Sequence, residues 1–161
     1  MREAYIIAYT RSAFAKAKKG GFRFTRTDDL AVMVLQLLLA KVPSLDPNLI
    51  DDLIVGCANP EGEQGLQIGR QIALRAFGEK VPGMTINRYC ASGIESIAIA
   101  TAKIKSGQGE IYVAGGIESM SMIPIVGYKL AINYDVSMNH PDYIIGMGLT
   151  AEAVSKVTNA A

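Results

Sequence analysis

The sequence has few of the residues that characterise secreted, metal-binding or disulfide-stapled proteins. Its 161 residues include no tryptophan, one histidine, two cysteines and six prolines. Two cysteines are too few for a disulfide framework, and no Cys-x-x-Cys or Cys/His cluster of the kind that holds zinc occurs. With 50% apolar residues, the chain is also neither collagen-like nor disordered. We therefore expect a folded domain without a metal site, in a reducing, cytoplasmic setting.

Neither the charge nor the apolar runs indicate a nucleic acid or a membrane as partner. Sixteen basic and fifteen acidic residues give a net charge of +1, which creates no field that would attract either. The longest apolar stretch, residues 30–40, is interrupted by Gln36 and is too short to cross a bilayer. Residues 1–10 lack the long apolar core of a secretory signal. We expect no nucleic-acid binding and no membrane insertion.

Short apolar segments alternate with longer helical patterns along most of the chain. We predict strands over residues 3–9, 53–57, 81–87 and 110–114, and helices over 29–41, 46–51, 65–76, 92–105 and from about Thr150. Thr27, Asp28 and Asp29 are candidates to cap the first helix. Strands alternating with helices predict an α/β fold with a mainly parallel sheet covered by helices.

The helix predicted over residues 92–105 has almost no polar face. Such a helix must be covered on several sides, and the other predicted elements supply too few layers for that. The pattern predicts that a second subunit, or a further part of a longer protein, packs against it.

Cys90 lies between a predicted buried strand and a predicted helix. The free N–H groups and positive dipole end of a helix favour thiolate over thiol. Ala91, Ser92 and Gly93 are small enough to admit an acyl group, and their amides could hold an oxyanion. This setting suits acyl transfer through a covalent thioester. The residues alone leave a second interpretation open, a small buried cysteine that fills a gap in the core, which is what we predict for Cys57.

Residues 86–97, which read Ile-Asn-Arg-Tyr-Cys-Ala-Ser-Gly-Ile-Glu-Ser-Ile, resemble the acyl-intermediate signature of the thiolase family. Further blocks resemble those of the family in the same order: residues 9–14, 51–56, 69–73, 114–121 and 147–152. An ordered series over nearly the whole chain is more specific than one motif. The sequence is most similar to the 3-ketoacyl-CoA and acetyl-CoA acyltransferases of fatty-acid metabolism and β-oxidation.

The resemblance implies a thiolase-like N-terminal half-fold with a mixed, mainly parallel sheet. Residues 1–118 would form this half-fold, and residues 119–161 would begin an inserted loop domain that covers the coenzyme A site. Cys90 would be the nucleophile, with its backbone amide as one oxyanion donor, and Met147 would lie near the bound acyl chain. Coenzyme A thioesters would be the substrates, with no separate cofactor, and the protein would be a homodimer or tetramer.

The family's later motifs do not occur in these 161 residues. They are an Asn-Glu-Ala-Phe segment, a Gly-His-Pro histidine that activates the nucleophile and a Cys-x-Gly-Gly cysteine that shuttles a proton. His140 precedes a proline, but family order places it in the loop region. The resemblance therefore predicts that this chain by itself lacks full thiolase turnover, because condensation and its reverse both need an acid and a base. Acyl chain length and reaction direction cannot be read from the sequence.

Other functions compete with this interpretation. Cys90 and His140 would make a cysteine hydrolase if they were close in space. The half-fold would serve only for dimerisation if no chemistry took place on it. Basic and aromatic residues interleave over residues 22–26, as in some RNA-binding segments, but the net charge gives this no support. We predict that Glu118 and Ser119 cap local backbone and take no part in catalysis.

Overall fold

The computed structural model describes residues 2–158. Its strands are β1 (Asp52–Gly56), β2 (Gly83–Ile86) and β3 (Tyr112–Gly116), and its α-helices are α1 (Thr27–Leu39), α2 (Ile68–Phe77), α3 (Ser92–Lys105), α4 (Tyr134–Asn139) and α5 (Met147–Thr158). Short 3₁₀ helices cover Pro47–Leu49, Gly62–Gln64 and Pro141–Ile144. In this part of the chain, no helix is both long enough and apolar enough to cross a membrane.

The three strands form a parallel sheet in the order β2-β1-β3. The last residue of β1, Gly56, is in register with Ile86 of β2 and with Gly116 of β3. The three strands therefore end side by side, at what we call the carboxyl edge of the sheet. The predicted α/β fold with a parallel sheet is confirmed.

Strand β1 lies in the centre of the sheet, and all five of its residues are buried. Successive side chains of a strand point to opposite faces, so complete burial requires cover on both faces. Helix α2 packs on β1 and β2, α1 packs on α2, and α3 packs on β1 and β3. The buried residues of the main core cluster come from these elements and their connections: Ala31, Val32, Leu35, Ile50, Leu53, Val55, Cys57, Ile68, Ile72, Ala73, Phe77 and Val81.

The start of α1 is held by an ion-pair network, and the predicted side-chain cap is wrong. Arg26 occupies the N-cap position without a side-chain hydrogen bond to the helix. Asp28 is buried, and its carboxylate accepts hydrogen bonds from Arg26 Nε at 3.0 Å and from Arg75 Nη1 at 2.9 Å. Because Arg75 belongs to α2, the carboxylate joins two helices that are distant in sequence.

The strand predicted over residues 3–9 is absent from the described structure. The segment forms no ladder, and its side chains are largely exposed, including Tyr5 at 76% and Ile7 at 73%. Residues 4–17 and strand β3 line a common cavity of about 740 Å³. An alternating apolar segment becomes a strand only beside a partner strand, and the described chain gives this one no partner.

Helix α3 has the bounds predicted for it, but its inner face is made of small residues. Ser92, Ser96 and Ala100 are buried, and Ser96 Oγ lies 3.0 Å from the carbonyl oxygen of Gly115 in β3. Ile94 and Ile97 are 72% and 44% exposed. The small residues let the helix lie close to the sheet, and two of its larger apolar side chains remain exposed.

The chain forms two compact units, one up to Tyr128 and the other from Lys129. The second unit contains α4 and α5, and α5 begins at Met147, earlier than the predicted start near Thr150. The first unit continues past the domain boundary predicted after residue 118. The assignment of residues 119–161 to an inserted loop domain stays a prediction, and residues 159–161 lie outside the described residues.

Candidate acyl-accepting site

Cys90 lies at the carboxyl edge of the sheet, after the end of β2 and two residues before the start of α3. Its side chain is exposed, whereas that of Cys57 is buried. An exposed thiol is open to an incoming reagent, so the interpretation of Cys90 as a core-filling residue is wrong. Cys57 follows β1 directly and is 1% exposed, as predicted for a structural cysteine.

Cys90 is part of a tightly bonded turn that covers residues 87–92, which we call the cysteine turn. Tyr89 has a φ of +46°, in the left-handed region that residues other than glycine seldom adopt. The side-chain oxygen of Asn87 accepts the Tyr89 N–H at 2.8 Å. Ser92 Oγ accepts the Arg88 N–H at 2.8 Å and donates to the Tyr89 carbonyl at 2.6 Å. Side chains on both sides of Cys90 thus hold the backbone that presents it.

The end of β1 comes very close to the first turn of α3. A Cβ atom placed on Gly56 would lie 2.5 Å from the Ser92 carbonyl carbon and oxygen and 2.8 Å from the Gly93 nitrogen. The Gly56 carbonyl oxygen also accepts the Ile117 N–H at 3.0 Å. Glycine is required at position 56 because no side chain fits between strand and helix.

A polar cluster around the buried side chain of Gln64 joins the loop after β1 to the segment after β3. Glu118 accepts hydrogen bonds from the N–H groups of Ala58 at 2.7 Å and Asn59 at 3.3 Å, which confirms its predicted role in capping local backbone. Gln64 is fully buried, and its side-chain nitrogen donates to Glu118 and to the Asn59 carbonyl. Its side-chain oxygen accepts the Ser119 N–H at 2.7 Å. Gln64 lies among polar residues between a predicted strand and a predicted helix, and no local pattern indicates its burial.

The second cysteine, Cys57, lies beside this polar cluster. Gln64 Nε2 lies 3.4 Å from Cys57 Sγ. Burial, with a smaller contribution from the Glu118 carboxylate, raises the pKa of the Cys57 thiol to about 12. Cys57 is therefore a protonated, inert thiol at neutral pH, and the exposed thiol of Cys90 is the one placed for chemistry.

The other residues singled out in the sequence belong to the second compact unit. Met147 is the first residue of α5 and is 71% exposed. His140 ends α4 as its C-cap residue. Within residues 2–158, no group of three or more histidine, cysteine or acidic side chains is arranged to hold a metal ion. The cysteine turn is thus built entirely from residues of the first unit.

The profile of the thiolase N-terminal domain matches residues 4–161. The chain is 44% identical over 157 residues to a 3-ketoacyl-CoA thiolase of Bacillus subtilis (strain 168), a match that covers 97% of this chain and 40% of that protein. It is 37% identical over 157 residues to a 3-ketoacyl-CoA thiolase of Chromohalobacter salexigens, with 97% and 40% covered. A 3-ketoacyl-CoA thiolase of Saccharophagus degradans is 38% identical over 158 residues, with 96% and 39% covered. The chain spans about 40% of the length of these curated relatives. The order of its motifs, its parallel α/β sheet and these matches agree, and the chain belongs to the thiolase family.

Proposed function

We propose that this chain supplies the acyl-accepting half of a 3-ketoacyl-CoA thiolase, with Cys90 as the nucleophile. The observation that carries the proposal is the contrast between the two cysteines. Cys90 is exposed in a turn at the start of a 14-residue helix, and Cys57 is buried with a raised pKa.

In the proposed reaction, the thiolate of Cys90 attacks the 3-keto carbonyl carbon of a 3-ketoacyl-CoA. The new C–S bond forms, and the bond between the α and β carbons then breaks. The electron pair of that bond leaves with acetyl-CoA as its enolate, which takes up a proton. The thiol of a second coenzyme A next attacks the Cys90 thioester, giving a shortened acyl-CoA and free Cys90.

The groups around Cys90 suit the first part of this reaction. Ala91 and Gly93 are small, and a Cβ atom added to Gly93 would meet nothing within 4 Å, so the start of α3 leaves room for an acyl group. The N–H groups of Ala91 and Ser92 already donate to the Arg88 and Tyr89 carbonyls, so they are not free to bind an oxyanion, contrary to the expectation from the sequence. We include the Cys90 amide as one oxyanion donor and Met147 as a contact of the acyl chain. Coenzyme A thioesters are the proposed substrates, without a separate cofactor.

The second part of the reaction needs proton transfers that these residues do not support. Cys57 is buried and stays protonated at neutral pH, so it is unsuited to shuttle a proton. We therefore propose that residues 1–161 alone take up an acyl group but do not sustain turnover. Measuring acetoacetyl-CoA thiolysis by this chain tests that point, and turnover at the rate of a 3-ketoacyl-CoA thiolase would refute it.

The central experiment is acylation of the purified chain by acetyl-CoA, followed by intact-mass and peptide analysis. We expect one acetyl group on Cys90 and release of coenzyme A. Cys90→Ser should abolish the modification, and Cys57→Ser should leave it in place. Acetylation that persists in Cys90→Ser, or that fails in the wild-type chain, would refute Cys90 as the acyl acceptor.

We also propose that the chain functions as part of a homodimer or tetramer in fatty-acid metabolism in the cytoplasm. The exposed side chains of Ile94 and Ile97 on α3 support an association surface. Sedimentation equilibrium should detect self-association that Ile94→Glu weakens. A wild-type chain that stays monomeric at high concentration would contradict this proposal.

A further inference from the structure

Both polar atoms of the Asn87 side-chain amide form a hydrogen bond. Its oxygen accepts the Tyr89 N–H at 2.8 Å, and its nitrogen donates to the Ala58 carbonyl oxygen at 2.9 Å. An amide offers one acceptor and one donor group, and here each has a backbone partner. Asn87 therefore connects the cysteine turn, at the end of β2, to the loop that follows β1.

The bond to Tyr89 supports a backbone conformation that is unfavourable by itself. A left-handed conformation costs a residue other than glycine about 1–2 kcal/mol, and Tyr89 has a φ of +46°. A hydrogen bond from an asparagine side chain to the N–H two residues later is a known way to stabilise such a turn. Because Cys90 follows Tyr89 directly, the conformation of Tyr89 sets the direction in which the cysteine leaves the turn.

The bond to Ala58 anchors the same amide to the polar cluster around Gln64. The Ala58 N–H donates to Glu118, and Glu118 accepts a further hydrogen bond from the buried Gln64. Hydrogen bonds to a carboxylate are stronger than those between neutral groups. The loop that offers its carbonyl to Asn87 is thus held on its other side by a charge-assisted bond.

We infer that Asn87 is a positioning residue for acyl transfer to Cys90, and that Glu118 and Gln64 act on the sulfur through it. The inference rests on the proposed function of Cys90 as acyl acceptor. Attack on a carbonyl requires the sulfur and the oxyanion donors at fixed relative positions, whereas alkylation by a small halide requires only an accessible thiolate. Displacement of a reacting group by about 1 Å can slow a reaction about 100-fold.

The test compares two reactions of Cys90 in the full 161-residue chain. Acetylation by 4-nitrophenyl acetate passes through an oxyanion, and alkylation by iodoacetamide does not. We take the ratio of the two second-order rate constants, after subtracting the background of Cys90→Ser. A substitution that only unfolds part of the chain changes both rates together, so the ratio isolates the positioning effect.

Asn87→Leu, which loses both bonds, should lower the ratio by about tenfold or more. Asn87→Asp keeps an acceptor for the Tyr89 N–H but loses the donor to Ala58, and it should give an intermediate ratio. Glu118→Gln changes the contact that holds the Ala58 loop and leaves the residues of the cysteine turn unchanged. It should lower the ratio to a smaller extent. Asn48→Leu removes an exposed asparagine near the opposite edge of the sheet, next to Asp46, and should leave the ratio unchanged.

The outcomes separate the inference from the proposed function. A ratio that stays at the wild-type value in Asn87→Leu and Asn87→Asp would overturn the inference. If Asn87→Leu does not fold, the ratios of Asn87→Asp and Glu118→Gln decide instead. Wild-type ratios in both variants would then overturn the inference. A wild-type chain that reacts with 4-nitrophenyl acetate but not with acetyl-CoA would refute the proposed function, and the ratios would still decide the role of Asn87. Failure of the wild-type chain with both acyl donors would overturn both.

Discussion

The backbone of Gly56 at the end of β1 lies against the backbone of Ser92 at the start of α3, too close for any side chain between them. A Cβ atom on Gly56 would stand 2.5 Å from the Ser92 carbonyl carbon and oxygen. This contact sets the distance between the sheet and the helix that follows Cys90. The position of Cys90 therefore depends on a strand that is distant from it in sequence.

Gly56→Ala should destabilise the chain by about 1–3 kcal/mol, because the contacting atoms are backbone and cannot move without shifting α3. Urea denaturation followed by circular dichroism measures the loss. Gly93→Ala is the matched control, since a Cβ atom there meets nothing within 4 Å. It should leave stability unchanged or slightly raised. Equal losses in the two variants would contradict the close approach of strand and helix.

Cys57 should make the free energy of unfolding fall at alkaline pH. Its folded-state pKa is raised to about 12, above that of an unfolded thiol, near 8.5. Below the unfolded value the thiol is protonated in both states. As the pH rises from there, the unfolded chain ionises first, and stability falls by up to about 1.4 kcal/mol per pH unit.

Unfolding of the wild type and of Cys57→Ala at about pH 8 and about pH 10 isolates this effect, because all other titrating groups are shared. The wild-type chain should lose more stability than the variant between the two pH values. Equal losses of unfolding free energy in the wild type and in Cys57→Ala would show that Cys57 ionises in the folded chain.

Asp28→Ala should destabilise the chain by about 1–3 kcal/mol, since it removes a buried carboxylate that accepts charge-assisted hydrogen bonds. Its partners, Arg26 and Arg75, would keep their charges without it. Asp29→Ala is the control, because Asp29 pairs with Arg75 at a site where its side chain is 47% exposed. An exposed pair contributes at most about 1 kcal/mol. Asp28→Ala should lower the thermal unfolding temperature more than Asp29→Ala does. The reverse order would contradict the role given to Asp28.

His140→Ala should leave the rate of Cys90 alkylation by iodoacetamide unchanged. The proposed function attributes the reactivity of Cys90 to the cysteine turn and the start of α3, and His140 ends a helix of the second unit. The rate is measured by loss of the free thiol over time, with Cys90→Ser as background. A large loss of reactivity in His140→Ala would favour the cysteine hydrolase hypothesis.

The elements with the strongest local signals were the easiest to predict. The bounds of α3 match the prediction at both ends, because the apolar helix follows a short turn and stops before Gly107. β1 was predicted within one residue, since a continuous apolar run is typical of a strand buried on both faces. The placement of Cys90 between a strand and a helix was predicted correctly, and its role as nucleophile stays a prediction.

Features that depend on distant contacts were missed. Residues 3–9 alternate like a strand, but an alternating pattern does not supply a partner strand. Asp28 was predicted to cap α1, and its carboxylate is instead bonded to Arg75, a residue on another helix. Gln64 lies in a polar loop, and its burial depends on Glu118, which is 54 positions away in the sequence. Local sequence carries no information on such pairs.

The left-handed conformation of Tyr89 limits which sequences can carry this site. Valine, isoleucine or threonine at position 89 would clash with its own backbone. Glycine would relieve about 1 kcal/mol of strain, and it would also free the backbone to take up other conformations. Tyr89→Gly would therefore favour the stability of the folded chain, but it would leave the orientation of the Cys90 side chain less well defined.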